Sequence, residues 1–371
     1  MKKFRNIAIY LPQFHPTTVN DSFWGKGFTE WTNVTKSKPR FPGHYQPKLP
    51  ADLGFYDLRV PEVRKEQARM AMENGIDGFC YYHYWYKGKR LLELPFNEVL
   101  KTGEPDFPFM LCWANHDWSK SWLGNNKEII IKQEYSDEDD ANHADFLCKC
   151  FADERYIKIG GRPVFGIYRS TAVDDCKRRI DNLRKECKLR GFDIYLVRFE
   201  SDGTIGADYL KPGFDAAVEF QPHCDHGYKH RTRQLINTTN KYLQKLGLGG
   251  IPLVFSYRAY VNYIMKFPRD LGYKRFPCIT PMWDNAARYT NKPFFCLHKS
   301  TPQVFQKWLE SIYKKFIPYS SDENLVFFNA WNEWAEGNYL EPDRKWGHAY
   351  LDAIKKATGG IYSYHTSKNL L

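Results

Sequence analysis

The sequence predicts a single α/β domain over residues 1–371, a (β/α)8 TIM-type barrel with long βα loops and an insertion before the seventh strand. Three observations predict it. Short, near-continuously apolar runs recur along the chain, as strands buried on both faces should read. Longer amphipathic stretches fit between them. Polar and aromatic residues gather at the C-terminal ends of six of these runs and not at their starts. A barrel carries its chemistry at those ends.

The strands are expected at residues 7–11, 78–84, 109–113, 164–168, 194–199, 216–221, 278–283 and 325–331. Residues 12–60 read as a long loop rich in proline and aromatics, and loops of that length usually carry function. A helix over 61–74 opens with Pro61 at a first-turn position and stops before Gly75. Helices are also expected over 137–151 and over 174–190, the latter ending at Gly191. Thr301-Pro302 opens another, with Val304, Phe305, Trp308, Leu309, Ile312 and Phe316 on one face. Residues 224–276 form the insertion. The tail from Gly359 is polar and reads as frayed. A doubly wound open sheet is the alternative. Yet Pro12-Gln13-Phe14-His15 follows the first strand, where a glycine-rich dinucleotide fingerprint would stand.

Composition narrows the function. Hydrophobic residues make up 43% and charged ones 26%, which excludes a disordered chain. Aromatics reach 17%, and many fall near strand ends. Sugar rings present apolar C–H faces, for which aromatic faces are the natural platform. The net charge of +11 is spread along the chain, with short runs such as 87–90, 177–179 and 314–315. It suits anionic partners: a membrane surface contacted peripherally, a lipid-linked pyrophosphate sugar or an acidic polysaccharide. No nucleic-acid module is recognisable. No run approaches 18 apolar residues, so no transmembrane helix is expected. The first residues lack an h-region with a cleavage site. Nine cysteines, mostly in apolar runs, imply reduced thiols and a cytoplasmic setting.

The chemistry concentrates in Phe327–Asp343, FFNAWNEWAEGNYLEPD. Glu333 and Glu336 stand between and beside Trp331 and Trp334 at the tip of the last strand. At a spacing of three on a helical turn, β-carbons lie about 5–6 Å apart. Retaining glycosidases hold their two carboxyl groups about 5–5.5 Å apart. Carboxylates that close push their pKa values apart, leaving one protonated and one charged near neutrality. One can then give a proton to a leaving oxygen while the other acts beside the anomeric carbon.

Other strand ends supply candidate substrate contacts. Tyr10 and His15 leave the first strand, and Glu30 and Trp31 sit on the first long loop. Tyr82, His83 and Trp85 alternate along the second strand, so only part of that set faces a pocket. Trp113, Asn115 and Trp118 offer a stacking wall and an amide. Glu219 ends the sixth strand, as a third acid or a structural partner. Trp283, Asp284, Asn285 and Arg288 follow the seventh, and Trp331 and Asn332 precede the acids. His223, Cys224, Asp225, His226 and His230 have metal-ligand chemistry, but their spacing matches no standard zinc pattern. Neither a metal nor a cofactor is implied.

The order YLPQFHP, WGKGFTEW, GIDGFCYYHYWY, CWANHDW, PMWDNAAR and FFNAWNEWAEGNYLEPD resembles the WbsX-type proteins of polysaccharide biosynthesis loci. These are similar to family 99 glycoside hydrolases, the endo-α-mannosidase family. The resemblance covers roughly residues 5–345. It implies a (β/α)8 barrel and a retaining mechanism at α-mannoside-like linkages in surface polysaccharide, O-antigen or capsule. It assigns Glu333 to deprotonate the sugar 2-hydroxyl, which attacks the anomeric carbon to give a 1,2-anhydro sugar. It assigns Glu336 to protonate the leaving oxygen and then activate water. The hydrolases commonly have His before the second Glu; here it is Ala335. WbsX-type proteins are also labelled glycosyltransferases, so transfer from a nucleotide- or lipid-linked donor is the alternative. A non-catalytic glycan-binding barrel is a third reading.

Overall fold

The computed structural model describes residues 4–119, 128–268, 270–289 and 292–359. The start of the chain and the polar tail beyond Gly359 lie outside the described residues. Nine parallel strand segments form a nearly closed α/β barrel: β1 Arg5–Tyr10, β2 Gly78–Tyr86, β3 Phe109–Trp113, β4 Arg162–Ile167, β5 Tyr195–Glu200, β6 Ala216–Glu219, β7 Arg275–Phe276, β8 Cys278–Ile279 and β9 Leu325–Phe328. Neighbours pair in parallel from β1 round to β7; β8 pairs with β9, and β9 returns to β1. Pro277 separates β7 from β8. It has no N–H for the ladder, so one stave is broken into two short pieces.

The helices are α1 Thr18–Trp24, α2 Glu30–Lys36, α3 Pro61–Glu73, α4 Leu94–Thr102, α5 Asp137–Phe151, α6 Cys176–Leu189, α7 His230–Lys245, α8 Tyr257–Ile264, α9 Pro302–Lys315 and α10 Ala349–Ala357. Their ends follow ordinary capping physics. Ser136 accepts from the Asp139 N–H at 3.1 Å, and four acids occupy the first turn of α5, where the helix dipole favours negative charge. Those acids also hold α6: Arg179 reaches Asp140 at 2.7 Å and Asp137 at 2.6 Å. Thr301 caps α9 at 3.3 Å, with Pro302 in its first turn. Between β5 and β6 the chain makes only a 3-10 turn, Ala207–Leu210, in place of a barrel helix.

The strand alternation sorts side chains into two populations. Along β2, Cys80, Tyr82 and Tyr84 point into the barrel, whereas Tyr81, His83 and Trp85 point out to the helices. Inside, Phe199, Phe276 and Phe327 meet ring to ring. Gly166 leaves room for this packing, since a β-carbon there would stand 3.0 Å from the Phe199 ring.

The expected seventh strand, 278–283, needs correction. After Ile279 the chain leaves the barrel, and Trp283-Asp284 pairs antiparallel with Cys296 and Leu297. That ribbon, Phe295–His298, also pairs in parallel with Leu253–Ser256 from the insertion. The last strand likewise ends at Phe328, three residues early, and Asn332-Glu333 forms a separate hairpin with Asn338-Tyr339.

At Gly78 the fold leaves no space for a side chain: an added β-carbon would lie 2.8 Å from the Pro108 carbonyl oxygen and 2.9 Å from Ile157 Cδ1. Gly78→Ala is expected to cost about 2 kcal/mol, the usual scale for forced overpacking, read from urea denaturation. An unchanged midpoint and slope would contradict the close approach of β2 to β3.

Candidate active site

The loop after β1 and the segments after β8 and β9 build the site together. Asn332 clamps the first exit: its Oδ1 accepts from Leu11 N–H at 2.8 Å and its Nδ2 donates to Leu11 O at 3.0 Å. Asp284 clamps the second. One carboxylate oxygen accepts from Ala286 N–H at 3.2 Å, starting the 3-10 turn Asn285–Arg288. The other accepts from Gln46 at 2.7 Å, His44 at 2.9 Å and Lys48 at 3.3 Å, all from the first long loop. Burial alone would raise the Asp284 pKa; Lys48, His44 and Gln46 outweigh it and hold it below the usual value. Gly337 has φ +55°, and a β-carbon there would lie 2.8 Å from the Asp284 carbonyl oxygen and collide with Lys48 Nζ. This lets the Arg288 turn lie directly against the turn Trp334–Glu336.

Arg288 is the centre of the arrangement. Its guanidinium donates to Glu333 at 2.9 Å, to Glu30 at 3.2 Å and, more closely still, to Glu336. Glu30 is fully buried, Glu333 nearly so, and the Glu336 side chain is 20% exposed. Three carboxylates thus meet one positive charge. Full ionisation would leave two uncompensated negative charges out of water, a state buried groups avoid by keeping protons. Burial, then the Glu336 charge, pushes Glu333 well above the ordinary range despite Arg288. Burial also raises Glu336 and Glu30, against the pull of Arg288. The Arg288 pKa is raised in turn: its three carboxylates overcome the burial penalty.

Glu333 and Glu336 face a cavity of about 460 Å³ at the C-terminal mouth of the barrel. That size falls within the roughly 300–1,000 Å³ of small-molecule clefts. Among the predicted contacts, Tyr82, Trp118, Trp283, Asn285 and Arg288 line it with the two acids. Glu30 joins through Arg288.

The remaining predicted residues are held elsewhere. Tyr10 turns outward and donates to Gln67 of α3 at 2.7 Å. His15 is buried near Asp57; burial lowers its pKa to about 4. Trp31 donates to Tyr56 O at 2.8 Å and supports Trp334, ring to ring at 5.4 Å. His83, Trp85 and Trp113 all pack on His143 of α5. Asn115 ties two strand ends by exchanging hydrogen bonds with the Arg169 backbone at 2.7 and 2.8 Å. Glu219 is buried beside Arg275, 3.4 Å away, and accepts from Gln221 at 3.0 Å. Trp331 is buried against Phe79, and Asp284 and Asn332 act as the clamps described above. The His223–His230 run disperses. His223 lines the cavity, Cys224 accepts from Arg275, Asp225 pairs with Arg233, and His226 stacks on Phe267. His44, Asp284 and Cys296 cluster, but His44 is spent as a ligand. Its Nδ1 accepts from Arg40 N–H at 3.0 Å, so its Nε2 carries the proton it gives Asp284.

Several lining residues were not singled out from sequence: Tyr84, His116, Asp117, Tyr168 and Arg169; His223 was, but as a metal-ligand type and not as a cavity residue. Tyr84 follows from Tyr82 by the two-residue period. His116 and Asp117 stand in the CWANHDW segment. Tyr168-Arg169 follows β4 with little polar signal. Burial lowers His116 and His223 to about 4, with Arg169 adding to the effect, so both are neutral at pH 7.

Glu341 lies behind the pair. It accepts from Trp334 Nε1 at 2.6 Å, Gln67 at 2.7 Å and Tyr56 at 2.9 Å, yet burial raises it to about 7. Its folded value exceeds its unfolded one. The native state therefore binds more protons between about pH 4.5 and 7, and this group costs stability as pH rises through that window. Buried histidines with lowered pKa act in the opposite sense, so the informative quantity is a difference. The stability of wild type relative to Glu341→Gln should fall by about 3 kcal/mol from pH 4.5 to 8, read from urea denaturation. A pH-independent difference would contradict a buried, proton-retaining Glu341.

Comparison with known proteins agrees with this architecture. The family described as Glycosyltransferase WbsX matches residues 6–354. Two relatives called "Uncharacterized protein WxcX", from Xanthomonas campestris pv. campestris strains B100 and ATCC 33913, are 40% and 39% identical over 95% of the chain. The match spans 49% of each, so the chain covers about half the length of these curated relatives. A solved "Glycoside hydrolase-like protein" superposes with TM-score 0.58 at 12% identity, covering 96% of this chain and 94% of that one. The GH99 endo-alpha-mannosidase from Bacteroides thetaiotaomicron gives 0.52 at 13%, covering 96% and 98%. At such identities these two likenesses speak to the fold alone, a glycoside hydrolase-type barrel. By the match over nearly its whole described length, the chain belongs to the WbsX glycosyltransferase family.

Proposed function

We propose that the chain is a carbohydrate-active enzyme that cleaves an α-mannoside-like bond with retention, using Glu333 and Glu336. The observation that carries this reading is the pair of acids on one guanidinium, facing a cavity walled by Tyr82, Tyr84, Trp118, Tyr168 and Trp283. Aromatic faces suit the C–H surface of a sugar. The carboxylates suit its hydroxyls and its anomeric centre.

In the proposed cycle Glu333, once ionised, takes the proton of the sugar 2-hydroxyl. The 2-oxygen attacks the anomeric carbon as the bond to the leaving oxygen breaks. Glu336 gives its proton to that oxygen. Glu336 then takes a proton from water, which opens the 1,2-anhydro ring, and Glu333 returns its proton to the 2-oxygen. Both acids end as they began. The cycle needs one proton on the pair, held by Glu336 at the moment of cleavage. Burial with three acids around Arg288 keeps protons on the pair, and because Glu333 is the one raised well above the ordinary range, its proton must leave it when substrate binds. The substrate we propose is an oligosaccharide or polysaccharide of the cell surface, lipid-linked or anionic, handled on the cytoplasmic side.

Transfer is the second reading. The family's own description favours it, and Arg169 in the cavity suits the phosphate of a nucleotide- or lipid-linked donor.

Hydrolysis predicts that α-linked manno-oligosaccharides release reducing ends. Glu333→Gln and Glu336→Gln should each lower kcat/KM by about 10²–10⁴, the range for a lost acid or base. Turnover that requires a sugar nucleotide or a lipid pyrophosphate would move the assignment to transfer. Glycan binding retained by both variants, with no product from wild type, would leave a binding protein.

A further inference from the structure

The basic charge is not evenly shared. Residues 226–269, in the insertion after β6, hold eight lysines and arginines and no aspartate or glutamate, so they supply eight of the eleven net positive charges. Within this segment α7 carries one apolar row outward, with Ile236 and Leu243 half-buried on the side of Asn240. Leu235, Tyr242 and Leu246, spaced seven and four residues apart on one face, are 69%, 64% and 72% exposed. Leu248 and Ile251 continue the exposed apolar surface beyond its end. Arg231, Lys241 and Lys245 are exposed beside the row. Asn240 is the buried residue of α7, and it exchanges hydrogen bonds with the Ile251 backbone at 2.7 and 2.9 Å, which holds the turned-back segment against the helix. A helix of a globular protein normally faces its apolar row inward. Here the row faces out, among cations.

We infer that this insertion lies on an anionic lipid bilayer, with the apolar row of α7 at the acyl boundary and its cations among the headgroups. A bilayer satisfies both halves of the surface at once. A nucleic acid would take the charge but leave three large apolar side chains in water. The placement beside the cavity gives the contact a use. Phe220 and His223, which line the cavity, lead directly into the insertion. Arg233 of α7 pairs with Asp225 and lies 4.9 Å from the Phe295 ring, anchoring the helix at the barrel mouth. Docking would hold the mouth beside membrane-borne sugar. That consequence rests on the proposed function; the docking itself does not.

Sedimentation of the full chain with vesicles separates the two. Phosphatidylglycerol vesicles should bind it, and phosphatidylcholine vesicles should not. Raised salt should weaken binding. Lys241→Gln with Lys245→Gln should weaken it about 30-fold, roughly fivefold per lysine. Leu235→Ser with Leu246→Ser should weaken it about tenfold or more at unchanged charge. Both double variants should keep the wild-type melting temperature and rate on soluble substrate. Equal binding to both vesicle types, no binding, or double variants that bind like wild type would overturn the inference. So would capture by soluble polyanions with the vesicles left unbound. Because binding is read without turnover, a silent active site would leave this result intact.

Discussion

One guanidinium among three carboxylates, two buried and the third half-buried, sets the terms for the mouth of this barrel. Glu30 comes from the first long loop, Arg288 from the turn after β8, and Glu333 and Glu336 from the hairpin after β9. None of these segments belongs to the barrel wall. Each is fixed by a separate device: Asn332 on the backbone of Leu11, Asp284 on His44, Gln46 and Lys48, and the close approach of Gly337 to Asp284. Polar side chains from one loop thus position the acids of another, so the first loop is part of the site although it lies far from the acids in sequence.

The charge balance follows from that assembly. A lone buried carboxylate would neutralise itself, and a simple one-to-one pair with arginine would stay ionised. Three acids on one cation do neither completely. They retain protons, raised by burial, while Arg288 pulls each of them back toward ionisation. Acid–base chemistry on a poorly activated leaving group needs such a poised pair. Glu341 extends the same logic behind the motif, where its tryptophan, tyrosine and glutamine donors fix the tilt of Trp334.

Much of the barrel was legible because its strands are buried on both faces and read as unbroken apolar runs. The helix over Asp137–Phe151 and the strand over Phe109–Trp113 have the expected bounds. The seventh strand was misjudged because Pro277 interrupts the ladder, and Trp283 belongs to a different sheet. Within the site, residue type was a better guide than direction. His83 and Trp85 have the chemistry of a sugar contact, but the period of two sends them to α5 while Tyr82 and Tyr84 face the cavity. Asn115 and Asn332 look like hydroxyl ligands in sequence and are spent on backbone groups in the fold. Arg169 gave little signal, since one arginine after a strand is ordinary. The charge was read as dispersed from its basic runs; the informative feature was the absence of acids over 226–269.

The central claim is that the acid pair keeps a proton near neutral pH. Infrared difference spectroscopy on protein labelled with ¹³C-glutamate tests it directly, in a Glu341→Gln background that removes the other raised glutamate of the motif. The account predicts a protonated carboxyl band at neutral pH that falls when Glu333 becomes Gln. A spectrum with no such band, or a band indifferent to both Glu333→Gln and Glu336→Gln, would contradict it.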